Sequence, residues 1–367
     1  MTPQQERMWV SAALNGEAVD PQIDRDDLLR VATSHGVGPL LAGTPFGRSL
    51  GGEFAARLAA DVAHGIFHAA LLNDELRRVI PALSAAGIPA VLIKGAHLAH
   101  AVYPRPPLRV RADTDLLIPL EARAAAEDVL RDSGYRPTVH VRGSVILGQF
   151  HMERVDRTGV ALQMDVHWRV SAPLLVERLL PASQVIDART PIAALGDGAF
   201  GPSLEHALAL ACLHLAAHHW PTPDLLWLYD LRQIAEALGP EGGRRFVTLA
   251  RSQGFGALAG EVLREGQSLF PAPALRELID ALPRREEARE PALALLDHPK
   301  RRIDELTLDL RYASWGDRSR LIREHLLPDA AYIRASSGGR TLAGAYARRI
   351  ARGARRWFSR ASRPAGH

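Results

Sequence analysis

Two aspartates, Asp113 and Asp115, flank a single threonine, and Asp113 lies eighteen residues beyond the Gly95 of a Lys94-Gly95 pair that closes an apolar run. A strand sends residues i and i+2 to the same face, with Cα atoms about 6.5 Å apart. Two carboxylates placed in this way can grip divalent ions together. Two-metal phosphoryl-transfer sites hold their ions about 3.5–4 Å apart, a span such a pair can bracket. The plainer alternative is a solvated pair on an exposed face. Leu116, Leu117 and Ile118 weigh against it, because an uninterrupted apolar run marks a strand buried on both faces. An aspartate in such a strand needs a partner or a metal.

The elements that must position these acids follow from the pattern around them. Residues 1 to about 68 read as helices, and helix continues to Ala86, where Gly87-Ile88-Pro89 breaks it. Ala90 to Ile93 then reads as a short buried strand, Ala96 to Val102 as a helical turn or two, and Arg109 to Ile118 as a second strand. Glu121 to Asp132 reads as a helix stopped by Ser133-Gly134. Tyr135 to Val141 and Val145 to Phe150 are further strands. The clearest alternation runs from Val160 to Val170: Leu162, Met164, Val166 and Trp168 share one face, and Gln163, Asp165 and His167 the other. Pro and Gly punctuate residues 181–202. Beyond them the chain reads as mostly helical to about Leu327, with helices over Leu204 to His219 and Leu225 to Ala237. The tail from Arg340 to His367 is basic. This organisation divides the chain into an N-terminal helical region (1–68), an α/β core (69–190), a C-terminal helical domain (191–330) and a basic tail (331–367).

Composition narrows the class. Of 367 residues, 47% are hydrophobic and 23% charged, which is ordinary for a globular protein. A net charge of +4, from 45 basic and 41 acidic residues, is too small to imply a stable nucleic-acid partner. The single cysteine, Cys212, excludes an intrachain disulfide, and its apolar neighbours read it as an inert buried residue. No apolar signal segment opens the chain, and no run approaches the roughly 18 apolar residues of a membrane span, so the expected location is cytoplasmic. In the tail, arginines 348, 349, 352, 355 and 356 surround Ile350, Trp357 and Phe358. A solvated terminus is the favoured reading, with peripheral contact to an anionic membrane as the rival.

Ile93-Lys94-Gly95-Ala96, then Tyr103-Pro104, then the strand through Arg109, Arg111, Asp113 and Asp115 resembles the bacterial uncharacterised nucleotidyltransferase family of the DNA polymerase beta-like superfamily. Gln163-Met164-Asp165-Val166-His167-Trp168 is similar to that family's acid-x-His-Trp strand. His214, His218 and Trp220, with Trp227, Tyr229 and Asp230, resemble its downstream helical motifs. The likeness covers about residues 85–235. The turn Lys94-Gly95-Ala96 departs from the Gly-Ser or Gly-Gly of the wider superfamily, so the serine that commonly meets a phosphate is absent.

The resemblance implies an α+β fold, with a small mixed sheet as the nucleotidyltransferase core between N-terminal and C-terminal helical regions. It implies transfer of a nucleoside monophosphate from a nucleoside triphosphate such as ATP to a hydroxyl, with release of pyrophosphate. The acceptor would be a small molecule, a peptide or a protein. Asp113, Asp115 and Asp165 would be the catalytic acids and would hold Mg²⁺, in two ions. Gly95 would let backbone N–H groups approach a phosphate. Lys94 would meet the triphosphate or pair with an acid of the site; Arg109 and Arg111, on the face of the two aspartates if the strand is regular, would contact phosphate or neutralise the acids. His167 is either a partner of the metal site or a hydrogen-bonded histidine. His214 and His218, four apart on one helix face, lack the glutamate of a zinc-hydrolase helix and read as packed residues. The rival function is a nucleotide- or partner-binding regulator of the same fold without turnover, of toxin–antitoxin type.

Overall fold

A computed structural model of the chain describes residues 2–20, 23–138, 148–297 and 302–326, with isolated positions between 333 and 348. The basic tail therefore lies largely outside the described residues, as does the stretch 139–147 between two of the expected strands.

Four short helices, Pro3–Leu14, Arg25–Ser34, Gly38–Ala42 and Pro45–Ser49, precede the long helix Gly52–Ala85. Their starts are written locally. Thr2 and Gln5 exchange hydrogen bonds as a capping box, and the Asp24 carboxylate accepts from the Asp26 N–H. The long helix stops where Gly87 takes a positive φ of 71°.

Seven strands form one mixed sheet: β1 (Val91–Leu92), β2 (Asp113–Leu117), β3 (Arg136–Pro137), β4 (Gln149–Val155), β5 (Ala161–His167), β6 (Arg189–Pro191) and β7 (Phe200–Pro202). Their order is β3-β4-β5-β2-β1-β7-β6. The pairs β2–β5 and β1–β7 are parallel and the others antiparallel. The fold is α+β, with helical regions on both sides of this sheet in the chain.

Alternation along the central strands separates two cores. Leu92, Leu116, Ile118, Met164 and Val166 pack with Leu76, Ile80, Ala126 and Leu130 of the helices Gly52–Ala85 and Arg123–Asp132. Val91, Ile93 and Leu117 instead join the larger cluster built by the N-terminal and C-terminal helices. The carboxylates of β2 and β5 share this second face. The sheet thus carries its acids on the side turned toward the C-terminal helices Leu204–His214 and Leu225–Ser252.

Several boundaries differ from the sequence reading. The strand expected from Arg109 begins only at Asp113, because a 3₁₀ turn over Pro106–Leu108 precedes it and the Arg109 side chain is drawn away by an ion pair. The strand expected over Val145 to Phe150 begins at Gln149 among the described residues and runs on to Val155. The helix expected to reach His219 is α-helical to His214 and then opens into a π turn over Leu215–His219. The next helix continues past Ala237 to Ser252 through a bend at Gly239, whose φ of 62° only glycine adopts at low cost. Among the described residues no helix is long and apolar enough to cross a membrane.

Candidate active site

The first wall is the turn from β1 into the helix Lys94–Ala101. The Ile93 N–H donates to the Asp115 carbonyl, which pins the turn to β2. Lys94 then takes a φ of 52°, the left-handed region, and is the non-glycine residue that does so among those described. That conformation costs an L-residue about 1–2 kcal/mol. Gly95 follows at a point of close approach. A Cβ there would stand 3.3 Å from Arg109 Nη1 and 3.5 Å from the Arg111 Cβ.

Strand register brings the acids together. In the parallel pair β2–β5, Asp115 lies opposite Asp165 and Asp113 opposite Gln163. In the antiparallel pair β4–β5, His151 lies opposite Asp165 and Gln149 opposite His167. The result is a polar face built from three adjacent strands and the lysine of the turn.

Asp115 is 5% exposed and is held on one oxygen: its Oδ1 accepts from Lys94 Nζ and from His167 Nε2, each at 2.7 Å. Burial works against its charge. The Lys94 ammonium and the His167 hydrogen bond outweigh burial and hold the carboxyl well below the usual carboxylate range. Because an ionised carboxylate only accepts, His167 must donate its Nε2–H. Burial and the neighbouring ammonium push this imidazole down, so it is neutral. Burial likewise disfavours the Lys94 charge, yet the field of Asp115, with Asp113 and Asp165 adding to it, raises the lysine overall.

Asp165 accepts from His151 Nδ1 at 2.6 Å. Gln149 Nε2 stands 3.0 Å from His151 Nε2 and 3.4 Å from Asp165 Oδ2. The Asp165 bond raises the His151 imidazole against burial. Asp113 receives no hydrogen bond from another side chain among the described residues. Burial, and then the charges of Asp115 and Asp165, push its carboxyl up to about 6. A carboxyl whose charge burial and like charge oppose is what a nearby divalent cation would relieve.

Asp115, Asp165 and His167 offer ligand atoms within 4.8 Å of one another. The donor set fits a divalent ion. His167 is better placed as the outer partner, since its Nε2–H already orients Asp115, and oxygen ligands suit magnesium.

The two arginines of the segment before β2 stand next to Gly95 and within the field of Asp113, but their hydrogen bonds go to other partners. Arg109 is 6% exposed and forms a bidentate pair with Asp230, which is 3% exposed: Nη2 to Oδ2 is 2.7 Å and Nε to Oδ1 is 2.8 Å. The Tyr103 hydroxyl donates to the same carboxylate at 2.7 Å. Arg111 reaches Thr114 Oγ1 at 3.0 Å and Asn73 Oδ1 at 2.9 Å. Both guanidinium groups are thus engaged by protein partners. The expectation that they line the aspartate face required a regular strand from Arg109, and that strand is absent.

The π turn also borders the site. His214, Lys94, His97, Arg109, Trp227 and Asp230 line a cavity of about 50 Å³ behind the Lys94 turn. His214 Nε2 stands 3.2 Å from His219 Nε2, and His218 Nε2 stands 2.7 Å from Ser171 Oγ. His219 packs on Trp227 with ring centroids 3.7 Å apart. These histidines contact one another and their neighbours, and the group able to hold a metal among the described residues is the acid cluster on the sheet.

The model of the uncharacterised nucleotidyltransferase family matches residues 21–271, more than half of the chain. The chain belongs to this family. No curated protein matches it.

Membership in a nucleotidyltransferase family agrees with the site geometry, because the match includes the turn, both acid strands and the π turn. The sequence reading missed His151 and Gln149. A signal is present: Gln149-x-His151 repeats the i, i+2 spacing of Asp165-x-His167, but the expected strand stops at Phe150, one residue before His151 and five before the observed end at Val155. It also left Asp230 without a role and gave Tyr103 only a turn. Their partner, Arg109, lies 121 residues from Asp230, and no local pattern announces such a pair.

Proposed function

We propose that this protein is a magnesium-dependent nucleotidyltransferase. The observation that carries the reading is the parallel register that sets Asp115 beside Asp165, with Asp113 on the same face and the Lys94-Gly95 turn alongside. A hydroxyl oxygen of the acceptor attacks the α-phosphorus of a nucleoside triphosphate. The new P–O bond forms as the bond from that phosphorus to the bridging oxygen breaks, and pyrophosphate leaves with the electron pair. Asp165, partly exposed on β5, takes the hydroxyl proton, a role open to a carboxylate within hydrogen-bond reach. Its bond to His151 fixes its orientation.

Asp113, Asp115 and Asp165 hold the ion. Mg²⁺ bound there supplies charge stabilisation to the transferring phosphate and lowers the pKa of the attacking hydroxyl. His167 orients Asp115, and the Lys94 charge with this hydrogen bond keeps it ionised. Gly95 lets the backbone N–H groups at the start of its helix approach phosphate. Catalysis on this face is mainly positioning and electrostatics. ATP is the first donor to test, the acceptor is a small molecule, a peptide or a protein, and the cytoplasm is where both would be met.

The test is transfer of label from nucleoside triphosphates labelled at the α-phosphate, offered with Mg²⁺ and a cell extract. Label on an acceptor, lost in Asp113→Ala and Asp115→Ala, supports the reading. Binding of triphosphate with no acceptor ever labelled would replace it with that of a non-catalytic binder.

A further inference from the structure

We infer that the Lys94 ammonium takes the place of one of the two divalent ions of a paired-metal site, so that this protein binds a single divalent ion beside a fixed lysine charge. The inference rests on the nucleotidyl-transfer reading and deepens it.

The first observation is the use of oxygens. A carboxylate oxygen has about two acceptor directions. Oδ1 of Asp115 already receives two charge-assisted or buried hydrogen bonds, from Lys94 Nζ and His167 Nε2, both at 2.7 Å. Only Oδ2 of Asp115 is left to meet a metal. Two ions about 3.5–4 Å apart that both used Asp115 would need both of its oxygens, or one oxygen bridging the two. A second ion on Oδ1 would have to displace the lysine. Oδ2 of Asp115 and the carboxylate of Asp165, with Asp113 on the same strand face, still offer oxygen ligands for one ion of magnesium type.

The second observation is independent of those contacts. Lys94 holds the left-handed backbone conformation at the tip of the turn. Glycine adopts that conformation freely and asparagine with less strain. A lysine kept there, with its side chain only 24% exposed and its charged end on Asp115, is placed for its ammonium. The strain is confined to one residue, and the glycine beside it does not share it, as Gly95 lies inside the helix.

Counting ions tests this. The protein is dialysed against Mn²⁺ and a non-hydrolysable nucleoside triphosphate analogue, and bound manganese per chain is measured against the protein-free compartment. The expected count is one for the wild type, one for Lys94→Arg and two for Lys94→Met, which frees Oδ1 while keeping side-chain length. Two ions in the wild type overturn the inference and leave the nucleotidyl-transfer reading standing. No bound ion at all overturns both. One ion in a Lys94→Met protein that melts as the wild type does also overturns it. Should Lys94→Met not fold, the wild-type count decides.

Discussion

Two buried charge clusters lie on either side of the Lys94-Gly95 turn, and they are finished to different degrees. In the cluster of Arg109, Asp230 and Tyr103, the carboxylate receives three donor atoms of the arginine and tyrosine at 2.7–2.8 Å, spread over both of its oxygens. In the cluster of Lys94, Asp113, Asp115 and Asp165, both bonds to Asp115 fall on one oxygen, and Asp113 has no side-chain donor among the described residues. Complete pairing makes the first a brace between the sheet turn and the helix Leu225–Ser252. Incomplete pairing in the second leaves acceptor capacity that a cation can use.

The largest effect expected from this contrast is on chemistry. Asp113→Ala or Asp115→Ala should lower label transfer by more than about a hundredfold, the upper end for loss of an outer partner of a metal site, while the melting transition persists. The brace should respond in the opposite sense. Arg109→Met or Asp230→Leu alone leaves an unpaired buried charge and should cost about 3–5 kcal/mol in urea unfolding, whereas the double variant should return most of that loss. Additive losses in the double variant would show that the pair is not the brace described.

A third buried acid extends the comparison to a site with no proposed ligand. Glu75, 4% exposed, is bonded by Arg78 and by Arg154 from β4. Burial works against its charge, but these donors and Tyr135 hold it below its ordinary 4.5. The unfolded chain therefore takes up the proton first as pH falls. The stability Glu75 contributes is present above about 4.5 and is lost as pH drops through the folded value. Glu75→Gln should cost about 1.5–3 kcal/mol at neutral pH and flatten the acid limb of unfolding free energy against pH. An unchanged limb would remove Glu75 from the set of paired acids. The smallest effect belongs to His167→Phe. Loss of the Nε2–H from Asp115 should weaken Mn²⁺ binding about 10–100-fold. The Arg109→Met/Asp230→Leu double variant should leave that affinity within about twofold. Equal weakening in both proteins would erase the distinction between the two clusters.

Much of the acid face was legible in the chain. Asp113 and Asp115 followed from i, i+2 spacing beside a buried run, and Leu116, Leu117 and Ile118 are all fully buried. Asp165 followed from alternation, since Leu162, Met164 and Val166 are buried on the opposite face. Arg109 and Arg111 were placed on that face by extending the same periodicity too far back, across a turn that Pro106 and Pro107 impose. The π turn was invisible because five residues with helical composition fit either hydrogen-bond pattern.

Periodicity is a property of neighbours in the chain, so the sequence alone could specify which face each acid occupies and that a glycine turn precedes them. It could not specify that Asp115 and Asp165 share a register, that His151 caps Asp165, or that Arg109 pairs with Asp230. Those are pairings between residues 14 to 121 positions apart or on strands whose order is not the chain order. They arise only when burying both sheet faces fixes the strand alignment, and a buried charge then settles on whichever partner that alignment brings within reach.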